Sequence, residues 1–203
     1  MIGSRTAGAL AVVTMAAALV GCAPDSSLTA EPAPAAITVG AGQAPDLAVL
    51  AEIYAGVLRG TGSPVDTAPG LAQGQDFAAL DDGTVTLVPG YTGPLLQRLQ
   101  PGATVVDPDD VFEELNRSLP QGLSVSDYGM AEQPGAGESD EATEPAANVV
   151  PLMRSGVLTT AQVKALNVVA GELTSAELAE MSEAVRRGGL SPGQAAGEWL
   201  AQR

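Results

Sequence analysis

Apolar residues recur along most of the chain with two periods in turn, and the alternation predicts strands followed by helices. Ile37-Thr38-Val39-Gly40 reads as a short strand ending at Gly40, followed by a loop over residues 41–45. Leu47, Leu50, Ile53, Tyr54, Val57 and Leu58 then keep the 3.6-residue period of a helix, with Asp46 as its cap and Gly60 as its stop. Tyr54 lies on that apolar stripe and is read as core. Residues 63–68 form a weaker second strand. Residues 73–80 form a short helix with Phe77 facing inward, closed by Asp81-Asp82-Gly83 in ordinary turn chemistry. The β-branched and aliphatic run over residues 84–88 predicts a buried strand that breaks at Pro89-Gly90 and places Tyr91 at the start of a helix running through 94–99. Asp107 as N-cap, Pro108 in the first turn and acids behind it open a helix over 108–119, packed through Val111, Phe112, Leu115 and Leu119. Leu123-Ser124-Val125-Ser126 starts a further strand toward Tyr128.

Strands separated by helical patterns predict an α/β fold with a mostly parallel sheet flanked by helices. Ligands of such folds sit at the carboxyl edge of the sheet, which is where Tyr91 falls. The end of the chain predicts a run of capped helices. Thr159 with Gln162, Thr174 with Glu177 and Ser191 with Gln194 each have capping-box spacing, and Arg186-Arg187-Gly188-Gly189 ends the middle one. Trp199, in the last helix, is expected to pack on the sheet. Residues 129–148 differ from both halves: they are acidic, carry Pro and Gly and lack aliphatic periodicity, so they read as a flexible loop.

The first 36 residues predict an address. Arg5 precedes an apolar run over residues 7–20, shorter than the about 20 residues that span a bilayer. The run ends in Leu19-Val20-Gly21-Cys22, which is similar to the bacterial lipobox. Residues 1–21 are therefore expected to be a lipoprotein signal peptide, Cys22 the lipidated residue and residues 22–36 a tether rich in Pro and Ala. This predicts a protein held by lipid on the outer face of a bacterial cell membrane.

Composition narrows the chemistry. The 203 residues carry a formal charge of −15, which argues against nucleic acid. There is no histidine and one cysteine, which removes His-based triads, most zinc sites and any internal disulfide. The carboxylate pairs Asp81/Asp82 and Glu113/Glu114 have turn and helix-surface explanations, and no nucleophile, base and oxyanion donor occur together. No enzyme, cofactor or metal site is implied. Only 3% of residues are aromatic, so a pocket built from several rings is poorly supplied.

The segments Ile37-Thr38-Val39-Gly40, Ala51-Glu52-Ile53-Tyr54, Phe77-Ala78-Ala79-Leu80 and Pro89-Gly90-Tyr91-Thr92-Gly93 occur in one order, followed by Asn148-Val149-Val150-Pro151-Leu152, Leu173-Thr174-Ser175-Ala176-Glu177-Leu178 and Glu198-Trp199-Leu200. That ordered set resembles the osmoprotectant (glycine betaine/choline) substrate-binding proteins of ABC importers. The resemblance implies one lobe of a periplasmic-binding-protein-like (type II) fold, made from residues 37–128 and 149–203, with 129–148 standing where a second lobe is inserted. It implies a quaternary-ammonium solute bound by aromatic rings through cation–π attraction, with Tyr91 and Thr92 as ligand-binding residues and permease subunits as partners. The family usually carries an aromatic and an acid just before the tyrosine, where this chain has Val88 and Gly90. The implied function is solute binding for ABC import, with reduced or absent binding by the isolated chain. The alternative is a single-lobe lipoprotein that acts as a protein-interaction module with a second chain.

Overall fold

The computed structural model describes residues 36–136 and 144–203. The expected signal peptide, Cys22, the tether before Ala36 and the middle of the acidic segment lie outside the described residues. The elements in chain order are β1 (Ile37–Gly42), α1 (Pro45–Gly60), β2 (Val65–Leu71), α2 (Asp76–Asp81), β3 (Leu87–Tyr91), α3 (Thr92–Leu99), α4 (Pro108–Ser118), β4 (Leu123–Val125), β5 (Val149–Arg154), α5 (Thr160–Glu172), α6 (Ser175–Arg186) and α7 (Pro192–Leu200).

The strands form one sheet in the order β2-β1-β3-β5-β4. β1 pairs in parallel with β2 and β3, whereas β5 is antiparallel to both β3 and β4. Four strands thus run in one direction, as the βα alternation requires, and β5 alone runs against them. The sheet is mixed, and among the described residues no crossover helix stands between β4 and β5. Parallel neighbours need such a crossover, and a direct return yields an antiparallel pair.

β3 differs from its sequence reading. Pro89-Gly90 does not end the strand, which continues to Tyr91. Pro89 lies directly opposite Pro151 on β5. The ladder bonds from Arg154 N–H to Thr86 O and from Thr92 N–H to Asn148 O fix the hydrogen-bonded positions at even numbers on β3. The two prolines therefore face each other at a non-hydrogen-bonded pair, where this ladder asks neither for an N–H.

Alternation along the strands divides the interior in two. Ile37, Val39, Leu87, Tyr91, Val149 and Met153 pack with α1, α5, α6 and α7 on one face. Val88, Val150 and Leu152 pack with α2, α3 and α4 on the other. The result is a three-layer arrangement in which helix stripes cover both sheet faces. Tyr54 is 2% exposed within the first cluster, as its place on the stripe predicts.

The helix starts agree with their local chemistry. Asp107 accepts a hydrogen bond from Asp109 N–H at 3.0 Å, and all three capping boxes are formed. At the end of α7, Arg203 stacks 3.8 Å from the centroid of Trp199 and forms ion pairs with Glu177 at 2.8 Å and Glu172 at 3.2 Å. Desolvation alone would raise the Glu177 carboxyl, but hydrogen bonds from Arg203 and Thr174 outweigh it and hold the pKa at about 2. Helices α5, α6 and α7 are joined at this corner.

Candidate functional site

The cleft lies at the carboxyl ends of β1 and β3 and has a volume of about 410 Å³. Leu47, Leu71, Val88, Pro89 and Leu95 give it apolar walls, and Asp46, Tyr91, Asp76, Arg98 and Gln133 bring polar groups. Tyr91, the last residue of β3, lines it while remaining only 5% exposed, with its ring packed into the core. Its hydroxyl donates to Asp46 Oδ2 at 2.5 Å. Burial first, and then the Asp46 charge, push the phenol well above its ordinary range, so the proton stays on Tyr91 as a donor.

This contact corrects the reading of Asp46 as a helix cap. Pro45 occupies the start of α1, which makes Ala44 the N-cap, and no side chain caps it. Asp46 instead sits in the first turn, where the positive end of the helix favours a carboxylate. The start of α1 and the end of β3 are thereby tied together in the cleft lining. Tyr91→Phe removes the donor, while water can still reach half-buried Asp46. A stability loss of about 1 kcal/mol is expected, seen in a thermal melt as a fall of roughly 2–4 °C for a chain of this size. An unchanged melting temperature would show that the bond contributes nothing.

The cleft lining also holds an ion pair that the sequence reading did not single out. Arg98, in the last turn of α3, donates to both oxygens of Asp76 at 2.5 and 2.7 Å and to the carbonyl of Gly74 at 3.3 Å. Its guanidinium lies 4.6 Å from the centroid of Phe77. Such a forked, stacked arginine is more rigidly presented than a free one. An acid opening α2 and a base closing α3 are visible in the sequence, but each has a dipole explanation of its own, and nothing local connects them.

Thr92 does not line the cleft. It is fully buried at the start of α3, where its hydroxyl donates to Ala146 O at 2.8 Å and accepts from Asn148 N–H at 3.1 Å. Its work is to fasten the returning chain. Tyr128 is also placed away: it packs on Phe112 with ring centroids 5.0 Å apart and donates to Asp109. Trp199 is 4% exposed in the core. Among the described residues, Tyr91 is the one aromatic side chain in the cleft lining.

The acidic segment over 129–148 is fixed at both ends, contrary to its reading as a flexible loop throughout. Gly129 N–H bonds Val149 O at 2.7 Å, Val149 N–H bonds Ala131 O at 2.8 Å and Gln133 N–H bonds Ala147 O at 2.9 Å. Asn148 Nδ2 adds a bond to Gly129 O at 3.1 Å. These bonds zip the outgoing and returning strands into a stem beside the cleft, and backbone pairing of this kind leaves no trace in side-chain periodicity. Gln133, at its outgoing end, reaches the cleft lining.

The profile of the substrate-binding domain of ABC-type glycine betaine transport systems matches residues 35–139 and 138–202, and the two matches meet inside the acidic segment. The apo structure of YehZ from Escherichia coli is similar with a TM-score of 0.73 at 13% identity, over 83% of this chain and 98% of that one. A glycine betaine/carnitine/choline ABC transporter structure is similar with a TM-score of 0.71 at 10% identity, over 82% of this chain and 98% of that one. At such identities the likeness concerns the fold. No curated protein matches the chain. No helix among the described residues is long and apolar enough to cross a membrane. With the profile matching nearly all of the described chain and the fold agreeing, the protein belongs to the family of substrate-binding domains of ABC-type glycine betaine transport systems, which comprises binding proteins rather than enzymes.

Proposed function

We propose that this chain is a lipid-anchored, extracytoplasmic solute-binding component of an osmoprotectant ABC importer whose isolated form binds its solute weakly. The observation that carries the reading is the cleft itself. It occupies the sheet edge where α/β folds take ligands, yet Tyr91 is its one ring and most of that ring is buried. A quaternary ammonium gains roughly 0.5–2 kcal/mol from each ring face it covers. A single, mostly covered face corresponds to millimolar affinity or weaker on this scale.

Isothermal titration of the protein with glycine betaine and with choline is expected to show no micromolar binding. A micromolar Kd for either would overturn the weak-binding reading. The anchoring part rests on Leu19-Val20-Gly21-Cys22, and radiolabelled palmitate fed to a bacterial host is expected to label the protein but not Cys22→Ala. Equal labelling of both would exclude Cys22 as the lipidated residue. The second reading is a protein-interaction module. It is favoured by the paired stem beside the cleft, which supplies an ordered edge without an opposing lobe among the described residues. In that case solute binding appears only when permease subunits or a second chain are added.

A further inference from the structure

We propose that the cleft selects a zwitterionic solute whose cationic nitrogen carries at least one N–H, over its fully methylated counterpart, with Asp46 receiving that N–H and Arg98 receiving the solute carboxylate. The inference rests on the reading of this cleft as the solute site and specifies what that site prefers.

Asp46 is half-buried, and its two oxygens are in different situations. Oδ2 accepts the Tyr91 hydroxyl at 2.5 Å, whereas Oδ1 has no hydrogen-bond partner among the described residues. An ammonium with an N–H can give that oxygen a charge-assisted hydrogen bond. A nitrogen surrounded by methyl groups has no donor. It would strip water from Oδ1 without restoring the bond, and burying an unpaired polar group is costly. What normally compensates a quaternary ammonium is a set of ring faces, and this cleft offers only the mostly buried ring of Tyr91. The same carboxylate that would aid an N–H cation therefore discriminates against a methylated one.

Arg98 supplies the other half of the recognition. A guanidinium has five N–H donors. Nη2 bonds Asp76 Oδ1 and Gly74 O, and Nη1 bonds Asp76 Oδ2, which leaves one N–H on Nη1 and the one on Nε. The side chain is 36% exposed and lines the cleft. Phe77 beneath the guanidinium and Asp76 beside it fix the plane of the fork. Two carboxylates and one guanidinium line the cleft, a net negative balance that disfavours a simple anion. Leu47, Val88, Pro89 and Leu95 give the same cleft an apolar lining for the aliphatic part of a solute.

Dimethylglycine and glycine betaine test this directly, because they differ by one N–H against one methyl. Titrating each into the full chain and following backbone amides by ¹H–¹⁵N NMR should move the cleft amides of Gly42 and Gly90, with dimethylglycine half-saturating at a concentration at least about tenfold below glycine betaine. In Asp46→Asn, checked for native spectral dispersion, the preference is expected to collapse to within about twofold. In Arg98→Gln both solutes should weaken together while the preference persists. The proposal is overturned if glycine betaine binds as well as or better than dimethylglycine, if Asp46→Asn keeps the preference, or if neither solute moves the cleft amides at about 100 mM. The two readings fail differently. Micromolar glycine betaine binding overturns weak stand-alone binding, whereas a reversed preference at millimolar strength overturns only the N–H selection.

Discussion

Trp199→Ala is expected to destabilise the protein by about 3–5 kcal/mol, the range for emptying a buried tryptophan site. Trp199 is 4% exposed and lies in the cluster that joins α1, α5, α6 and α7. Helix α7 packs closely on α1, where a Cβ added at Gly56 would meet the Leu200 Cδ1 methyl. The truncation also removes the surface on which Arg203 stacks, and Arg203 is the residue that ties α7 to Glu172 and Glu177. The indole N–H has no hydrogen-bond partner among the described residues, so what the ring contributes there is packing and stacking rather than a polar bond. Trp199→Phe should accordingly recover a large part of the loss. Urea unfolding with an unchanged m-value provides the measurement, and a loss below about 1 kcal/mol would show that the last helix is dispensable to the core.

Gly93→Ala should disturb the stem beside the cleft while leaving the distant helices intact. An added Cβ would stand 2.6 Å from the carbonyl oxygen of Pro145 and 2.9 Å from that of Ala146. Both obstacles are backbone, and Ala146 is also held by the Thr92 hydroxyl, so the returning chain must move as a unit. Overpacking of this kind costs about 1–3 kcal/mol. The expected signature is faster proteolytic cutting between residues 129 and 148, together with loss of the Gln133 contribution to the cleft. Wild-type stability and wild-type cutting would mean that the returning chain is not pressed on α3.

The parts of the fold that were legible in the sequence are those decided within a few residues. The start of α4 and the three capping boxes depend on groups two or three positions apart, and each forms as its spacing predicts. The strand–helix alternation of the first half is local in the same sense. The sequence is least informative where a distant partner decides. Pro89 stays within β3 because Pro151, 62 positions later by the two residue numbers, is its opposite neighbour. Asp46 is drawn from capping to a bond with Tyr91, a partner 45 residues away. Thr92, next to Tyr91 in sequence, turns out to hold the stem rather than line the cleft, because the strand-to-helix transition sends neighbouring side chains in different directions. The Asp76–Arg98 fork spans 22 residues and two helices, so neither residue announces the other.

The zipped stem has a consequence for what the molecule can tolerate between its two strands. Because Gly129–Val149 and Gln133–Ala147 are already paired, the host lobe meets the intervening chain as two adjacent ends, whatever that chain contains. The closure entropy of such an excursion grows only logarithmically, by about 0.6 kcal/mol for each doubling of its length. The position therefore behaves as a socket: a long, independently folded insert or a short polar bridge can occupy it with nearly the same effect on the lobe beneath.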